Sequence, residues 1–341
     1  MTDLVVGGGA VGTLLAWALA TGGRDVAIVR RRLDGPPRPA RITIVDVAGR
    51  RAEASITEVG RPSDLSAAPA LIVFAVKMFD LAEAVESCAV WPSSTALTVS
   101  NGIGAEEIVG GLREAGLIAG SVTSAVELGP DGAVARLNRG GVGLAPVTGD
   151  VGPLISEILE AVAGAGLRVA RCDDPAAMKW SKLVGNLVGN GTSAILDLSP
   201  GEIYADAGAY RIERRQLLEA FAVMRRLGLD PVPLPGADVR LLRLGLRLPV
   251  QLGRPIIHRV IAGARGRKDP SLRLHARSGS GPSEVGWLNG AVHREARRLG
   301  RHAPVNRRLT ELVEEVLADP DRKDWFRGRP DRLVTEVERS A

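Results

Sequence analysis

The chain has 341 residues, of which 45% are apolar, and its 44 basic residues exceed its 39 acidic residues by five. This length predicts two domains, and the small excess of positive charge does not by itself predict a nucleic-acid partner. No apolar run approaches the roughly 20 residues that span a bilayer, and no secretory leader precedes the first strand, so a soluble cytoplasmic protein is expected. Cys88 and Cys172 are the only cysteines, and the four histidines lack paired spacing, so no disulfide framework and no metal site is expected.

A glycine-rich turn stands near the N-terminus. The apolar residues 4–6 predict a strand and residues 11–20 predict a helix, with Gly7, Gly9 and Gly12 between and within them. In a dinucleotide-binding turn the first glycine permits a sharp bend, the second lets the backbone approach a pyrophosphate, and the third lets the helix pack on the sheet. The residues predicted to bind a dinucleotide here are Gly7, Gly9, Ala10, Val11 and Gly12.

A second buried strand, Asp25–Val29, completes the βαβ pattern and ends in Arg30, Arg31 and Arg32. At this place an acidic residue reads the ribose of NAD, whereas a basic residue accommodates the 2′-phosphate of NADP. A guanidinium can grip a phosphate with two parallel hydrogen bonds, so the arginines favour NADPH over NADH. The alternative is that they form an ordinary solvated turn.

Further elements follow in chain order. Residues 41–45 and 52–56 predict a hairpin, residues 71–76 and 96–100 predict buried parallel strands, and residues 151–163 and 167–170 predict a helix and a strand. The pattern then changes to helices, predicted at residues 176–194, 208–227, 283–299 and 306–317. The sequence therefore predicts an α/β fold, with a Rossmann-type dinucleotide-binding domain at 1–173 and an all-helical domain for substrate and dimerisation at 174–335.

Lys182, Asn186 and Asn190 recur every four residues on the first predicted helix of the second domain, so they share one face of it. Polar groups in a line within apolar sequence predict a cleft, the alternative being a solvated stripe. A lysine ammonium can polarise a ketone and donate the proton that accompanies hydride transfer, which suits Lys182, with Lys179 as its competitor. Glu284 is a further candidate, although on spacing alone it could simply stabilise the start of a helix.

Taken together, these residues resemble the ketopantoate reductase (2-dehydropantoate 2-reductase) family over nearly the whole chain. Residues 182–190 are similar to the family's lysine helix and residues 283–290 to its glutamate helix, while Val76-Lys77 and Ser100-Asn101-Gly102 match its motifs at the ends of two strands. The resemblance implies a C-terminal domain of the 6-phosphogluconate dehydrogenase type, a homodimer, and NADPH-dependent reduction of the 2-keto acid in pantothenate biosynthesis.

The resemblance also implies roles for individual residues. Lys182 and Glu284 would be catalytic, with Lys182 as the general acid. The residues that would contact substrate are Asn101, Asn186, Asn190 and Ser271. The residues that would line NADPH are Gly7, Gly9, Gly12, Arg30 or Arg31, Lys77 and Asn101.

The chain departs from the family pattern at Pro200, where the family has another substrate-binding asparagine. Other readings remain open. They are a reductase of another branched 2-keto or 3-hydroxy acid, a non-catalytic NADPH-binding sensor, and a nucleic-acid-binding protein that uses the arginine-rich residues 240–277. That segment lacks aromatic residues for base stacking, so a small anionic ligand or a solvated face is the simpler account.

Overall fold

A computed structural model describes residues 2–31, 33–113, 115–264, 269–279 and 281–339. The chain divides into two compact units, the first formed by Met1–Lys179 with Leu234–Ala237 and the second by Trp180–Pro233 with Asp238–Ala341. The domain boundaries stated from the sequence stay a prediction. Within the described ranges, no helix is both long and apolar enough to cross a membrane.

The first unit is built on one 11-stranded sheet, in the order β11-β10-β7-β6-β5-β1-β2-β4-β3-β9-β8. Its strands are β1 (Thr2–Val6), β2 (Asp25–Val29), β3 (Arg38–Val45), β4 (Arg51–Val59), β5 (Leu71–Phe74), β6 (Thr95–Thr98), β7 (Leu117–Val122), β8 (Val126–Leu128), β9 (Val134–Arg136), β10 (Gly141–Thr148) and β11 (Arg168–Arg171). The six central strands, β7 to β4 in this order, are parallel, so their carboxyl ends meet at one edge.

Four helices connect the strands of this unit: α1 (Ala10–Thr21), α2 (Leu81–Ser87), α3 (Ala105–Leu112) and α4 (Gly152–Gly164). The chain moves from β1 through α1 to β2 in one direction along the sheet, and from β5 through α2, β6 and α3 to β7 in the other. Because crossovers between parallel strands are right-handed, the two directions place α1 and the α2–α3 pair on opposite faces. The central strands are therefore covered on both sides, and all four residues of β5 are fully buried.

The predicted α/β architecture is confirmed, and the hairpin expected at 41–45 and 52–56 is β3 paired antiparallel with β4. The strands between residues 117 and 148 were not predicted. The sequences of β7, LIAGSV, and β10, GVGLAPVT, contain glycine and proline, which are poor strand formers. Here pairing with neighbouring strands decides the conformation, since β10 lies between β7 and β11.

The second unit is helical, as predicted. Its helices are α5 (Pro175–Leu187, whose first turns belong to the first unit), α6 (Asn190–Leu196), α7 (Pro200–Ala205), α8 (Ala207–Arg226), α9 (Val239–Arg247), α10 (Val250–Ala264), α11 (Ser271–Ser278), α12 (Asn289–Arg298), α13 (Pro304–Ala318), α14 (Pro320–Phe326) and α15 (Pro330–Arg339).

Two of the predicted helices are wrong in their extent. The helix expected at 176–194 ends at Leu187, and α6 starts anew at Asn190, because Gly189 has a left-handed backbone with φ of 62°. The helix expected at 283–299 is a short 3-10 turn, Val285–Trp287, followed by α12. Both segments carry polar residues predicted to bind substrate or to act in catalysis. The breaks therefore change the directions in which these side chains point.

Candidate active site

The glycine turn between β1 and α1 has the close approaches that exclude larger residues. Gly7 has φ of 116°, and a Cβ atom added to it would lie 2.5 Å from the carbonyl oxygen of Ala75. A Cβ atom added to Gly12 would lie 1.8 Å from the carbonyl oxygen of Gly7. Side chains at either position would therefore break the contact between the turn, the helix and β5.

The N-terminus of α1 fits a phosphate ligand. Gly9 is the N-cap residue, and among the described residues no side chain caps this end and no acidic residue stands in the first turn. A Cβ atom added to Gly9 would meet no atom within 4 Å in the described part of the chain. The first backbone N–H groups of a helix lack partners within the helix, and its dipole favours an anion there. Gly9, Ala10 and Val11 therefore suit the pyrophosphate of a dinucleotide.

Two further predicted residues follow strands at the same edge of the sheet. Lys77 comes shortly after β5, and Asn101 shortly after β6, and these strands are parallel neighbours. The two loops are joined because the Ser100 hydroxyl donates a 2.8 Å hydrogen bond to the carbonyl oxygen of Val76. Lys77, Asn101 and the glycine turn are thus all placed at the carboxyl edge, where ligands of open α/β sheets bind.

Lys179, the competitor of Lys182, is buried in the first unit. Its Nζ atom donates to the carbonyl oxygen of Ser100 at 2.9 Å and lies 3.2 Å from Oε1 of Glu106, which also accepts a hydrogen bond from Thr98. The side chain of Lys179 therefore stabilises the loop that carries Asn101. Local sequence patterns do not predict this role, because Glu106 and Ser100 are far from Lys179 in the chain.

The arginines that follow β2 differ in their burial and in the groups that they contact. Arg30 is partly buried; its Nη1 atom donates to the carbonyl oxygen of Gly8 at 2.7 Å and its Nε atom to Oε1 of Glu58 at 3.1 Å. Arg31 is exposed, with one guanidinium nitrogen 3.5 Å from a carboxylate oxygen of Asp80. Arg32 lies outside the described residues.

Glu58 places a carboxylate beside the end of β2, which the sequence alone does not predict. It lies near the carboxyl end of β4, the parallel neighbour of β2, opposite Ile28 in the register. No acidic residue stands at the end of β2 in the sequence, so the sequence alone predicts only positive charge at this place. Only strand pairing brings Glu58 beside Arg30.

The second unit carries the predicted residues Lys182, Asn186, Asn190, Ser271 and Glu284. Lys182 and Asn186 are half-buried on α5 and lie one turn apart. The prediction that Asn190 continues their face of the same helix is wrong, because Asn190 is the first residue of α6. The break between α5 and α6 changes the direction of the Asn190 side chain relative to those of Lys182 and Asn186.

A buried carboxylate holds this break in place. Glu213 on α8 accepts hydrogen bonds from the backbone nitrogen of Gly189 at 2.8 Å, from Thr192 at 2.6 Å and from Tyr204 at 2.7 Å. Burial raises the pKa of Glu213, although the hydrogen bonds it accepts oppose the shift. The carboxyl group thus organises the start of α6 and with it the position of Asn190.

Asn190 and Ser271 meet across two helices. The Asn190 side-chain amide donates to the Ser271 hydroxyl at 3.5 Å, and its carbonyl oxygen accepts from the backbone nitrogen of Leu272 at 3.0 Å. Asn190 therefore caps the first turn of α11, which begins at Ser271. Two residues predicted separately as substrate ligands are direct neighbours.

An ion-pair cluster fixes α11 to the end of α6. Asp197 accepts hydrogen bonds from Arg273 at 3.1 Å and Arg277 at 2.7 Å, and both arginines also bind Asp269. Burial alone would raise the pKa of Asp197, but the hydrogen bonds from the two arginines outweigh it and lower the pKa. Arg273 and Arg277, which belong to the arginine-rich segment, thus stabilise the packing of α11 against the end of α6.

Glu284 is buried, with 5% of its surface exposed, and precedes the 3-10 turn Val285–Trp287. The expectation that it belongs to the first turn of a long helix is wrong, since α12 starts only at Asn289. Over the described ranges, no three His, Cys, Asp or Glu side chains are grouped as metal ligands are.

Two family models match the chain. The model described as "Ketopantoate reductase PanE/ApbA" matches residues 4–149, and that described as "Ketopantoate reductase PanE/ApbA C terminal" matches residues 174–317. A protein from Archaeoglobus fulgidus named 2-dehydropantoate 2-reductase is 23% identical over 314 residues, which cover 92% of this chain and 96% of that protein.

Solved structures agree with the family models. A PanE/ApbA family ketopantoate reductase from Ralstonia eutropha JMP134 is 25% identical with a TM-score of 0.75, covering 95% of this chain and 100% of that one. D-mandelate dehydrogenase, solved with NADH and anilino(oxo)acetate, has the same fold at 19% identity and a TM-score of 0.72, covering 96% of this chain and 99% of that one. The chain belongs to the ketopantoate reductase family.

Proposed function

We propose that this protein reduces ketopantoate (2-dehydropantoate) to pantoate with NADPH. Membership of the family makes it an oxidoreductase that acts on CH–OH groups. The observation that carries the proposal is the carboxyl edge of the sheet, where the open amides of α1 stand with the loops that bear Lys77 and Asn101. This arrangement fits a dinucleotide, which supplies a hydride to the substrate carbon when it is bound.

Lys182 is proposed as the general acid. Its ammonium group would polarise the 2-keto oxygen and donate a proton to it as the carbon is reduced. The burial of Lys179 in an ion pair with Glu106 supports this choice between the two lysines of α5. A lysine whose ammonium group is held by a carboxylate and a backbone carbonyl inside the first unit is poorly suited to deliver a proton to substrate.

The substrate is proposed to lie against the second unit's polar residues. Glu284 would bind the reacting hydroxyl or carbonyl end, while Asn186, Asn190 and Ser271 would hold the rest of the molecule. Asn101 is likewise proposed as a substrate contact. The hydrogen bond between Asn190 and Ser271 supports a shared role for this pair. Pro200 is the first residue of α7 and is buried, so no side-chain amide is present at this position to contact the hydroxylated tail.

The cofactor is proposed to be NADPH, with Arg30 or Arg31 contacting its 2′-phosphate. Both guanidinium groups stand after β2, where the adenosine ribose is read in this fold. The exposure of Arg31 and the absence of an acidic residue from the end of β2 itself support this choice.

The test is a panel of reactions with the purified protein. Loss of reduced-nicotinamide absorbance is followed with ketopantoate and with 2-keto acids of differing tail polarity, each with NADPH and with NADH. The proposal predicts the highest kcat/KM for ketopantoate with NADPH. A higher value for a 2-keto acid with an apolar tail would assign the protein to a related reductase, and no turnover of any member despite nucleotide binding would indicate a sensor.

We also propose that the protein is a homodimer. Leu241 and Leu244 on α9 are 71% and 62% exposed, and exposed apolar residues of this size favour an interface. Light scattering during size-exclusion chromatography measures the mass directly, and a monomer at micromolar concentration would rule the dimer out.

A further inference from the structure

The end of β2 carries a three-residue ion-pair cluster formed by Arg30, Glu58 and Arg38, which we call the Glu58 cluster. Oε1 of Glu58 accepts from Nε of Arg30 at 3.1 Å, and Oε2 accepts from Nε and Nη2 of Arg38 at 3.1 Å and 2.9 Å. Arg38 is the first residue of β3 and stands opposite Glu58 in the antiparallel register. Two strands of the hairpin thus deliver a carboxylate and a second guanidinium to the place where the adenosine ribose is read.

The hydrogen bonds of Arg30 limit what it can offer a phosphate. A guanidinium grips an anion with two parallel bonds through Nη2 together with either Nε or Nη1. In Arg30, Nε is bound to Glu58 and Nη1 is bound to the carbonyl oxygen of Gly8. Contact through the Nε–Nη2 edge therefore requires Arg30 to break its bond to Glu58, whereas the second N–H of Nη1 leaves the Nη1–Nη2 edge able to meet a 2′-phosphate.

The negative charge of Glu58 also weakens the binding of a 2′-phosphate. The Glu58 side chain is only 14% exposed, so water screens it less than it screens a surface carboxylate. A half-buried negative charge beside the arginines opposes the two negative charges of a 2′-phosphate, but does not repel the neutral 2′-hydroxyl of NADH. Arg38 partly neutralises Glu58 and remains 62% exposed, where a phosphate can also reach it.

We propose that Glu58 sets the cofactor selectivity of this protein by restraining Arg30 and Arg38 and by opposing the 2′-phosphate. The protein consequently prefers NADPH less strongly than its arginines alone would dictate. This inference rests on the nucleotide site of the proposed function, and it concerns the strength of discrimination between the two cofactors rather than the reaction. Glu58 is a selectivity residue and not a catalytic residue.

The decisive measurement is the dissociation constant of NADP⁺ and of NAD⁺, determined by isothermal titration calorimetry for the full chain. Glu58→Gln removes the charge and keeps the size of the side chain. We expect the Kd of NADP⁺ to fall roughly five- to tenfold, as for loss of one poorly screened charge, while the Kd of NAD⁺ stays within about twofold. An unchanged or raised Kd for NADP⁺ would overturn the proposal, because Glu58 would then merely orient the arginines.

Glu53→Gln is the matched control. Glu53 lies on the same strand, is paired with Arg41 of β3 at 3.3 Å, and stands away from the carboxyl edge. It should leave the ratio of the two constants unchanged. If Glu53→Gln shifted the ratio as much as Glu58→Gln, a general charge effect would replace the specific one and the proposal would fail.

Arg38→Met gives a second, opposite test that does not depend on the folding of the Glu58 variant. Removing Arg38 leaves Glu58 with less compensating charge, so the Kd of NADP⁺ should rise severalfold with little change for NAD⁺. If Arg38→Met changed the Kd of NADP⁺ and the Kd of NAD⁺ by the same factor, the proposal would be contradicted. Wild-type protein that binds neither nucleotide would overturn the proposed function as well, whereas binding of both with no response to these variants would overturn the role of Glu58 alone.

Discussion

Lys179 of α5 and Glu106 of α3 form an ion pair in the first unit, with Nζ 3.2 Å from Oε1. Lys179 is 5% exposed and Glu106 15%, and Nζ also donates to the carbonyl oxygen of Ser100. The pair therefore ties the start of α5 to the loop that carries Asn101. A lysine that pattern analysis treated as a competitor for catalysis stabilises the edge of the nucleotide site instead.

Breaking this pair should destabilise the protein. We expect Lys179→Met to lower the free energy of unfolding by about 3 kcal/mol, because it leaves the charge of Glu106 poorly solvated and uncompensated. Urea unfolding measures the change. Combining it with Glu106→Leu should cost less than the sum of the two single substitutions, and strictly additive losses would show that the two side chains are not coupled.

Substitution of Lys182 tests the proton donor. Lys182→Ala should lower kcat by roughly two to four powers of ten, since the developing oxyanion loses its general acid, while the affinity for NADPH stays near the wild-type value. Steady-state kinetics and a nucleotide titration give the two quantities. A wild-type kcat in this variant would remove Lys182 from its proposed role.

The arginines after β2 can be tested together. Arg30→Ala combined with Arg31→Ala should narrow the preference for NADPH over NADH, because the positive charges nearest the expected 2′-phosphate are removed. The ratio of kcat/KM for the two cofactors is the readout. If that ratio is the same in the double variant, the phosphate is read by other residues.

Glu213 predicts a pH dependence of stability. Burial raises the pKa of Glu213 above its usual value of 4.5, so the folded state binds the proton more tightly than the unfolded state. The stability that this group contributes is therefore fully present below a pH of about 4.5 and is lost as the pH rises through the raised pKa of the folded state. Glu213→Gln should reduce the fall of the unfolding free energy over this range, because glutamine does not titrate.

Glu202 provides the contrast for that experiment. Its hydrogen bonds from Ser199, at the start of α7, lower its pKa, so its contribution is present above its unfolded pKa and is lost as the pH falls. Glu202→Gln should leave in place the loss of stability that accompanies a rise in pH. Urea titrations at several pH values compare both variants with the wild type, and identical pH profiles for wild type and Glu213→Gln would refute the role of Glu213.

Local patterns determined the first βαβ unit of the molecule, from β1 through α1 to β2. The succession of apolar strand, glycine turn and apolar helix depends on neighbours within about twenty residues, and backbone sterics decide it. Gly7 illustrates this, since its φ of 116° suits glycine and its spacing to Gly12 marks the turn in the bare chain. The arginines after β2 and the helical character of the second unit follow from the same kind of short-range information.

Relationships across the chain were decided by tertiary packing. Glu58 reaches Arg30 only through the pairing of β4 with β2. Asn190 leaves the face of Lys182 at the break at Gly189, whose backbone nitrogen donates a hydrogen bond to Glu213 on another helix. No local pattern encodes such partners, because a hydrogen bond between distant residues depends on how whole elements pack. The residue types at the candidate site could thus be read from the chain, whereas their charge balance and their orientation depend on the fold.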